Sequence, residues 1–260
     1  MNPRALILHA PGTNRDHDVA QALALAGAEP HIVTLNELRA NRTPFTTYQL
    51  LILPGGFSYA DALGAGKLFA LDLQTYFADE ARAFVDSGRP VLGICNGFQA
   101  LIKAGLLPGL DAWHHDRYAT LSFNARGRFE CRWVHLRVHS RQCLWTRGLR
   151  ETLTCPVAHG EGNFSLSHPE VLADLEVDGQ IALMYVNANG TPADEQYPAN
   201  PNGSIADIAG VCNPRGNVLG LMPHPENHIF PWQHPRHTRG ATGGLGLRLF
   251  ENGVRYASNQ

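Results

Sequence analysis

Cys95 is the residue of this chain best placed for covalent chemistry. Gly93 and Gly97 stand two before and two after it. That is the G-x-nucleophile-x-G spacing of a nucleophile elbow, with Cys where many hydrolases carry Ser. Glycines are needed there because a sharp strand-to-helix turn crowds its flanks. The turn leaves the sulfur at the head of a helix, where free N–H groups and the positive end of the dipole favour a thiolate. The competing reading of the pentapeptide alone is a buried structural cysteine.

A nucleophilic thiol needs a base, which comes from a residue adjacent in space rather than in sequence. Far downstream lies Pro223-His224-Pro225-Glu226. The prolines bias His224 to an extended conformation, in which residues i and i+2 face the same way. His224 and Glu226 are therefore expected to project together, the carboxylate fixing the imidazole tautomer and favouring its protonated form. An acyl-transfer site also needs donors for a developing oxyanion. The backbone N–H groups of Asn96, just after the nucleophile, and of Gly56, in the turn Pro54-Gly55-Gly56, are the candidates.

These residues require a frame. Runs at 4–9, 31–35, 48–53 and 90–94 read as strands, the last two, continuous and without charge, as strands buried on both faces. Helical patterns lie between them: Val19, Ala20, Leu23 and Ala26, capped by Asn14 or Asp16, and Tyr76, Ala81, Phe84 and Val85, ending at Gly88. Behind Cys95, the stripe Phe98, Leu101, Ile102 has helical spacing. Alternating strands and helices predict an open, mostly parallel α/β sheet with helices on both faces and ligands at its carboxyl edge. Beyond residue 117 the texture changes to alternating antiparallel strands at 121–140 and 180–190, with a turn-rich loop over Cys155–Gly162 between them. Segments 205–212 and 217–222 read as a strand pair around Asn213–Gly216, and 246–257 as a final helix. A single domain over residues 1–260 is expected.

Composition narrows the function. With 260 residues and a net charge of −2, the chain can bury a full core and presents no polycationic surface for nucleic acid or an anionic membrane. No apolar run spans a bilayer, and the N-terminal run is too short for a signal peptide. Five cysteines, an odd number without C-x-x-C spacing, predict a reduced, cytoplasmic protein. Lys67 and Lys103 are the only lysines, which leaves Schiff-base chemistry almost no candidates. Leu63–Lys67 fails as a phosphate loop, since Asp61 and Leu68 stand where that motif needs Gly and Ser or Thr. His224, His228, His234 and His237 match no standard zinc spacing. His114-His115 reads as surface.

Taken together, Gly93-Ile-Cys-Asn-Gly-Phe-Gln99 and Pro223-His-Pro-Glu226 resemble class I glutamine amidotransferases. Stretches 53–67, 129–138, 156–164, 200–217 and 218–226 narrow the resemblance to the glutaminase subunits or domains of phosphoribosylformylglycinamidine synthase. It covers nearly the whole chain. Three departures bear on the partner surface: Ala60 where small bacterial subunits usually carry Gly, Gly64 where they usually carry Arg, and a longer Asn227–Arg239 segment. The resemblance implies a triad of Cys95, His224 and Glu226, oxyanion donors at Gly56 and Asn96, and Gln99 as a contact for bound glutamine. The loop His159–Gly162 is a further candidate for the substrate or partner face. It also implies glutamine hydrolysis through a Cys thioester, with ammonia passed to a synthetase partner that makes formylglycinamidine ribonucleotide. A small accessory subunit can accompany the pair. No cofactor or metal is expected on this chain, ATP and Mg belonging to the partner. The alternative from another enzyme class is a cysteine hydrolase or deglycase of the DJ-1/PfpI type. That group usually takes its histidine from just after the cysteine, where this chain has Asn96.

Overall fold

The computed structural model describes residues 2–41, 44–109 and 118–259; the His114-His115 pair lies outside them. The first half alternates as its apolar runs require: β1 (Arg4–His9), α1 (Asp16–Leu25), β2 (Glu29–Thr34), α2 (Leu35–Asn41), β3 (Leu50–Leu53), α3 (Lys67–Tyr76), α4 (Ala78–Asp86), β4 (Val91–Ile94) and α5 (Asn96–Lys103). The second half adds β5 (Ala119–Ser122), β6 (Glu130–Val138), β7 (Leu153–His159), β8 (Asn163–Leu166), α6 (Glu170–Val177), β9 (Ile181–Val186), β10 (Ile208–Cys212), β11 (Val218–Leu221) and α7 (Leu247–Ala257).

Nine strands form one mixed sheet in the order β2-β1-β3-β4-β11-β10-β9-β6-β7, and β5 pairs with β8 separately. The five strands from β2 to β11 are mutually parallel, and from β11 onward each neighbour is antiparallel. β3 and β4 are buried along their whole length, as expected of strands covered on both faces. Helices α1 and α7 pack together against the strands, while α3, α4 and α5 form a second group. No helix of the described residues is long and apolar enough to cross a membrane. The five cysteines are free thiols.

Four expectations need correction. The pattern read as one helix through Tyr76 and Val85 is two, α3 and α4, broken at Phe77, whose buried ring stacks on Phe45 at 5.6 Å. Neither Asn14 nor Asp16 caps α1: Arg15 is the cap residue, without a side-chain bond, and the Asp16 carboxylate instead meets His9 Nδ1 at 2.7 Å. Residues 155–159 are strand rather than loop. β7 is the edge strand of the sheet, where Pro156 removes no ladder donor that a neighbour needs. Finally, His224 does not lie in an extended segment. Pro225–Asn227 form a single 3₁₀ turn, closed by the Asn227 N–H donating to the His224 carbonyl at 3.2 Å.

Candidate active site

The elbow forms because nothing larger than hydrogen fits on either flank of Cys95. A Cβ on Gly97 would lie 1.9 Å from the Leu53 carbonyl oxygen, and one on Gly93 would lie 2.4 Å from Leu101 Cδ1 and 2.9 Å from the Gly97 backbone. Cys95 itself has φ 49° and ψ −103°, a sparsely populated conformation that surrounding packing must enforce. Behind it Phe98, Leu101 and Ile102 bury the inner face of α5. The helix stops at Gly105, which has φ 79°, with the Leu106 N–H returning to the Leu101 carbonyl. Cys95 thus sits at the carboxyl end of β4 and the amino end of α5.

β11 runs parallel to β4 and delivers the second component to the same edge. His224 follows it, and the turn at Pro225–Asn227 swings Glu226 back so that Oε1 lies 2.6 Å from His224 Nδ1. Both side chains are buried, at 3% and 1% exposure. Burial alone pushes the His224 pKa down. The Glu226 carboxylate, and then the neighbouring Cys95 sulfur, outweigh it and raise the pKa to about 10. The His224 N–H donates to the Pro156 carbonyl at 2.8 Å, which ties this turn to β7. His224 Nε2 is buried without a hydrogen-bond partner.

The ring and the thiol share one pocket. A Cβ on Gly55 would lie 2.7 Å from His224 Cε1 and 3.5 Å from Cys95 Cβ, so the Gly55 backbone is a wall common to both. The Cys95 thiol points toward the Ala158 carbonyl at 3.8 Å. Sequence reasoning treated Gly55 as part of an ordinary turn. Its contact with His224 could have been sought in the Gly-Gly doublet at the end of β3.

Gly56 has φ 141°, a conformation open to glycine, and a Cβ there would strike Asn14 N at 2.6 Å. Its turn is braced by the Arg15 N–H donating to the Gly55 carbonyl and the Phe57 N–H to the Gly12 carbonyl. Asn96 opens α5, and its side chain anchors the next loop. Oδ1 accepts from the Ser58 N–H and hydroxyl, while Nδ2 donates to Asp61 Oδ1 at 2.9 Å and Gln99 Oε1 at 3.1 Å. In that loop Tyr59, Ala60 and Asp61 all have φ near 54°, so Ala60 occupies the conformation that favours glycine. Burial, then the neighbouring Glu161, pushes the Asp61 pKa up.

Gln99 is 2% exposed, with both ends of its amide engaged: it accepts from Asn96 and donates to the Glu161 carbonyl. Glu161 Oε2 in turn accepts from the Ala65 N–H at 3.2 Å. Gln99 therefore reaches the site through the turn 159–162. The downstream histidines do not gather as ligands. His228 and His234 pack edgewise on Trp133, and His228 Nδ1 bonds the Thr154 carbonyl. Among the described residues no group of three His, Cys, Asp or Glu is arranged to hold a metal.

The position after Cys95 bears Asn96, committed to Ser58, Asp61 and Gln99, so the histidine of a DJ-1/PfpI-type arrangement has no counterpart there. A buried thiol, an imidazole with a raised pKa and a carboxylate fixing its tautomer are instead the parts of a nucleophilic acyl-transfer site. Comparison with known proteins agrees. The sequence profile of the CobB/CobQ-like glutamine amidotransferase domain matches residues 2–257. The chain is 51% identical to the phosphoribosylformylglycinamidine synthase subunit PurQ of Treponema denticola, over 98% of this chain and 99% of that one. Against the PurQ subunit of Dehalococcoides mccartyi it is 40% identical, over 98% and 97% of the two. Among solved structures, a chain in the structure of PurLQS from Thermotoga maritima superposes with a TM-score of 0.75 at 34% identity, covering 98% of this chain and 99% of that one. Similarity of this extent, over a fold with the elbow and the His–Glu turn on one sheet edge, establishes that the chain belongs to the class I glutamine amidotransferases, in the PurQ family.

Proposed function

We propose that this chain is the glutaminase subunit of a phosphoribosylformylglycinamidine synthase, supplying ammonia for de novo purine biosynthesis, and that Cys95, His224 and Glu226 carry the chemistry. The observation that bears most weight is the 2.6 Å contact of His224 Nδ1 with Glu226, in the pocket that also holds Cys95.

The Cys95 sulfur adds to the side-chain amide carbon of glutamine, and the oxygen becomes an oxyanion facing the N–H groups of Gly56 and Asn96. With a pKa of about 10, His224 holds a proton at neutral pH. It donates that proton from Nε2 to the amide nitrogen as the C–N bond breaks, and ammonia leaves. A γ-glutamyl thioester remains on Cys95. Water, giving a proton back to Nε2, attacks the thioester carbon; the C–S bond breaks and glutamate departs. Glu226 accepts from Nδ1–H throughout and keeps the ring in one tautomer. Glutamine and water go in, glutamate and ammonia come out, and sulfur and imidazole return to their starting state.

Ammonia passes to a synthetase partner that holds ATP and Mg and converts formylglycinamide ribonucleotide to its amidine, with a small accessory subunit in some assemblies. No cofactor is required on this chain, and a cytoplasmic location suits its free thiols. Unregulated hydrolysis wastes glutamine, so the isolated chain is expected to turn over slowly and to be stimulated by its partner. The test is co-purification with the synthetase, scored for amidine synthesis. Cys95→Ala should lower glutamine-dependent synthesis at least ~10⁴-fold while synthesis from free ammonia continues. Loss of both together contradicts the division of labour.

A further inference from the structure

The chemistry above leaves Asn124 unused, yet this residue, just beyond β5 and 2% exposed, has every polar group of its amide engaged. Oδ1 accepts the Gly162 N–H at 2.9 Å and meets His159 Nδ1 at 3.1 Å. Nδ2 donates to the carbonyls of His159 at 2.8 Å and Arg128 at 2.9 Å. Its backbone N–H donates to the Gly160 carbonyl at 2.9 Å. One residue thus grips three of the four positions in the turn 159–162.

These bonds also fix one ring proton. An oxygen that accepts a backbone N–H must be Oδ1, so the His159 nitrogen facing it carries the hydrogen. Nε2 of His159 is buried and without a partner. Burial, and then the nearby His224, push the His159 pKa down to about 3, and the ring stays neutral. A Cβ on Gly162 would lie 2.4 Å from His159 Cε1, so the turn is folded flat against this ring.

The segment so held forms the wall opposite the elbow. The Ala158 carbonyl receives the Cys95 thiol, the Glu161 carbonyl receives Gln99, and the Glu161 carboxylate receives the Ala65 N–H. We propose that Asn124 is a positioning residue for glutamine: by gripping His159 and the turn after it, it sets the 158–162 wall at the spacing needed to hold the substrate over Cys95. The neutrality matters as well, because a second imidazolium would lower the pKa of His224 and weaken its hold on a proton. The proposal rests on the glutaminase reading.

The experiment uses the complex with the synthetase and compares Asn124→Ala and Asn124→Asp with wild type. For Asn124→Ala, KM for glutamine should rise roughly 10- to 100-fold with a smaller change in kcat, and ammonia-dependent synthesis should persist. Asn124→Asp places a carboxylate on His159 Nδ1, which raises that pKa, so the acid limb of the glutamine pH–rate profile should move to higher pH. Unchanged KM and an unchanged acid limb in folded variants would overturn the proposal, as would a fall in kcat alone. Should the Asn124 variants fail to fold, His159 decides. His159→Leu should reproduce the rise in KM, and His159→Gln, which still donates to Asn124 but cannot charge, should recover most of it; equal KM in the two would overturn the proposal. Wild-type complex with no glutamine-dependent activity would instead sink the glutaminase reading itself.

Discussion

Behind Cys95, in β4 and α5, glycines hold the backbone by leaving no room for anything else; across from it, in the turn after β7, buried amides hold the backbone by hydrogen bonding. The elbow is a local device. Gly93, Gly97 and a strained Cys95 lie within five residues, and what they touch is chiefly backbone. The facing wall is assembled from afar: Gln99, Asn124 and the turn bearing His159 and Glu161 come from three separate stretches and meet through polar contacts. Steric walls tolerate almost no change but need no partner. Polar walls can be retuned by altering one donor, which suits the side that must fit a substrate.

The comparison breaks most completely at Gly97. Gly97→Ala sets a Cβ 1.9 Å from the Leu53 carbonyl oxygen, and two backbones cannot both yield. It should cost about 3 kcal/mol or more, read as a large drop in the urea midpoint; a wild-type midpoint would show that the elbow is not sterically closed. Next comes Glu226→Gln, which leaves shape intact and removes charge. Glutamine turnover should fall on the order of 10³-fold. The same variant sharpens the electrostatics. The folded-state pKa of His224 is raised from 6.5 to about 10, so the folded chain binds more protons than the unfolded one between those values. Its contribution to stability is complete below pH 6.5 and is lost as pH rises toward 10. Tm of the wild type should decline across that window, and Glu226→Gln should flatten the decline; parallel curves would contradict the assignment. The smallest effect on folding belongs to Gly55→Ala, whose Cβ would press on the His224 ring, a side chain rather than backbone. Turnover should drop roughly 100-fold with Tm little changed, and undiminished turnover would mean the ring is not held against Gly55.

The same contrast explains what could be read from the sequence. The elbow was legible because its rule is local: glycine at fixed offsets from Cys95, a buried strand before it and an apolar stripe after it. β3, β4 and the final helix were legible for similar reasons. His224 and Glu226 were legible as a pair, although the reason offered was wrong, since a helical turn rather than an extended segment brings them together. The facing wall was not legible. Nothing within a few residues of Asn124 announces that its amide will close on a turn 35 residues later, and Pro156 disguised β7 as a loop although an edge strand accommodates proline. Gly55 was missed because its neighbour Gly56 offered an obvious role as an N–H donor. Gln99 carried a role from the resemblance, and its buried position shows how it is connected, through Asn96 and Glu161.

The account stands on Cys95 being an activated nucleophile despite its burial. Cys131 is exposed, whereas Cys95 is only 5% exposed, so unassisted thiol chemistry would favour Cys131. Treating the complex with a diazoketone analogue of glutamine and locating the adduct by mass spectrometry separates the two. The predicted result is one adduct, on Cys95, formed in step with the loss of glutamine-dependent synthesis while ammonia-dependent synthesis survives. An adduct on Cys131 with Cys95 unmodified, or inactivation without modification of Cys95, would contradict it.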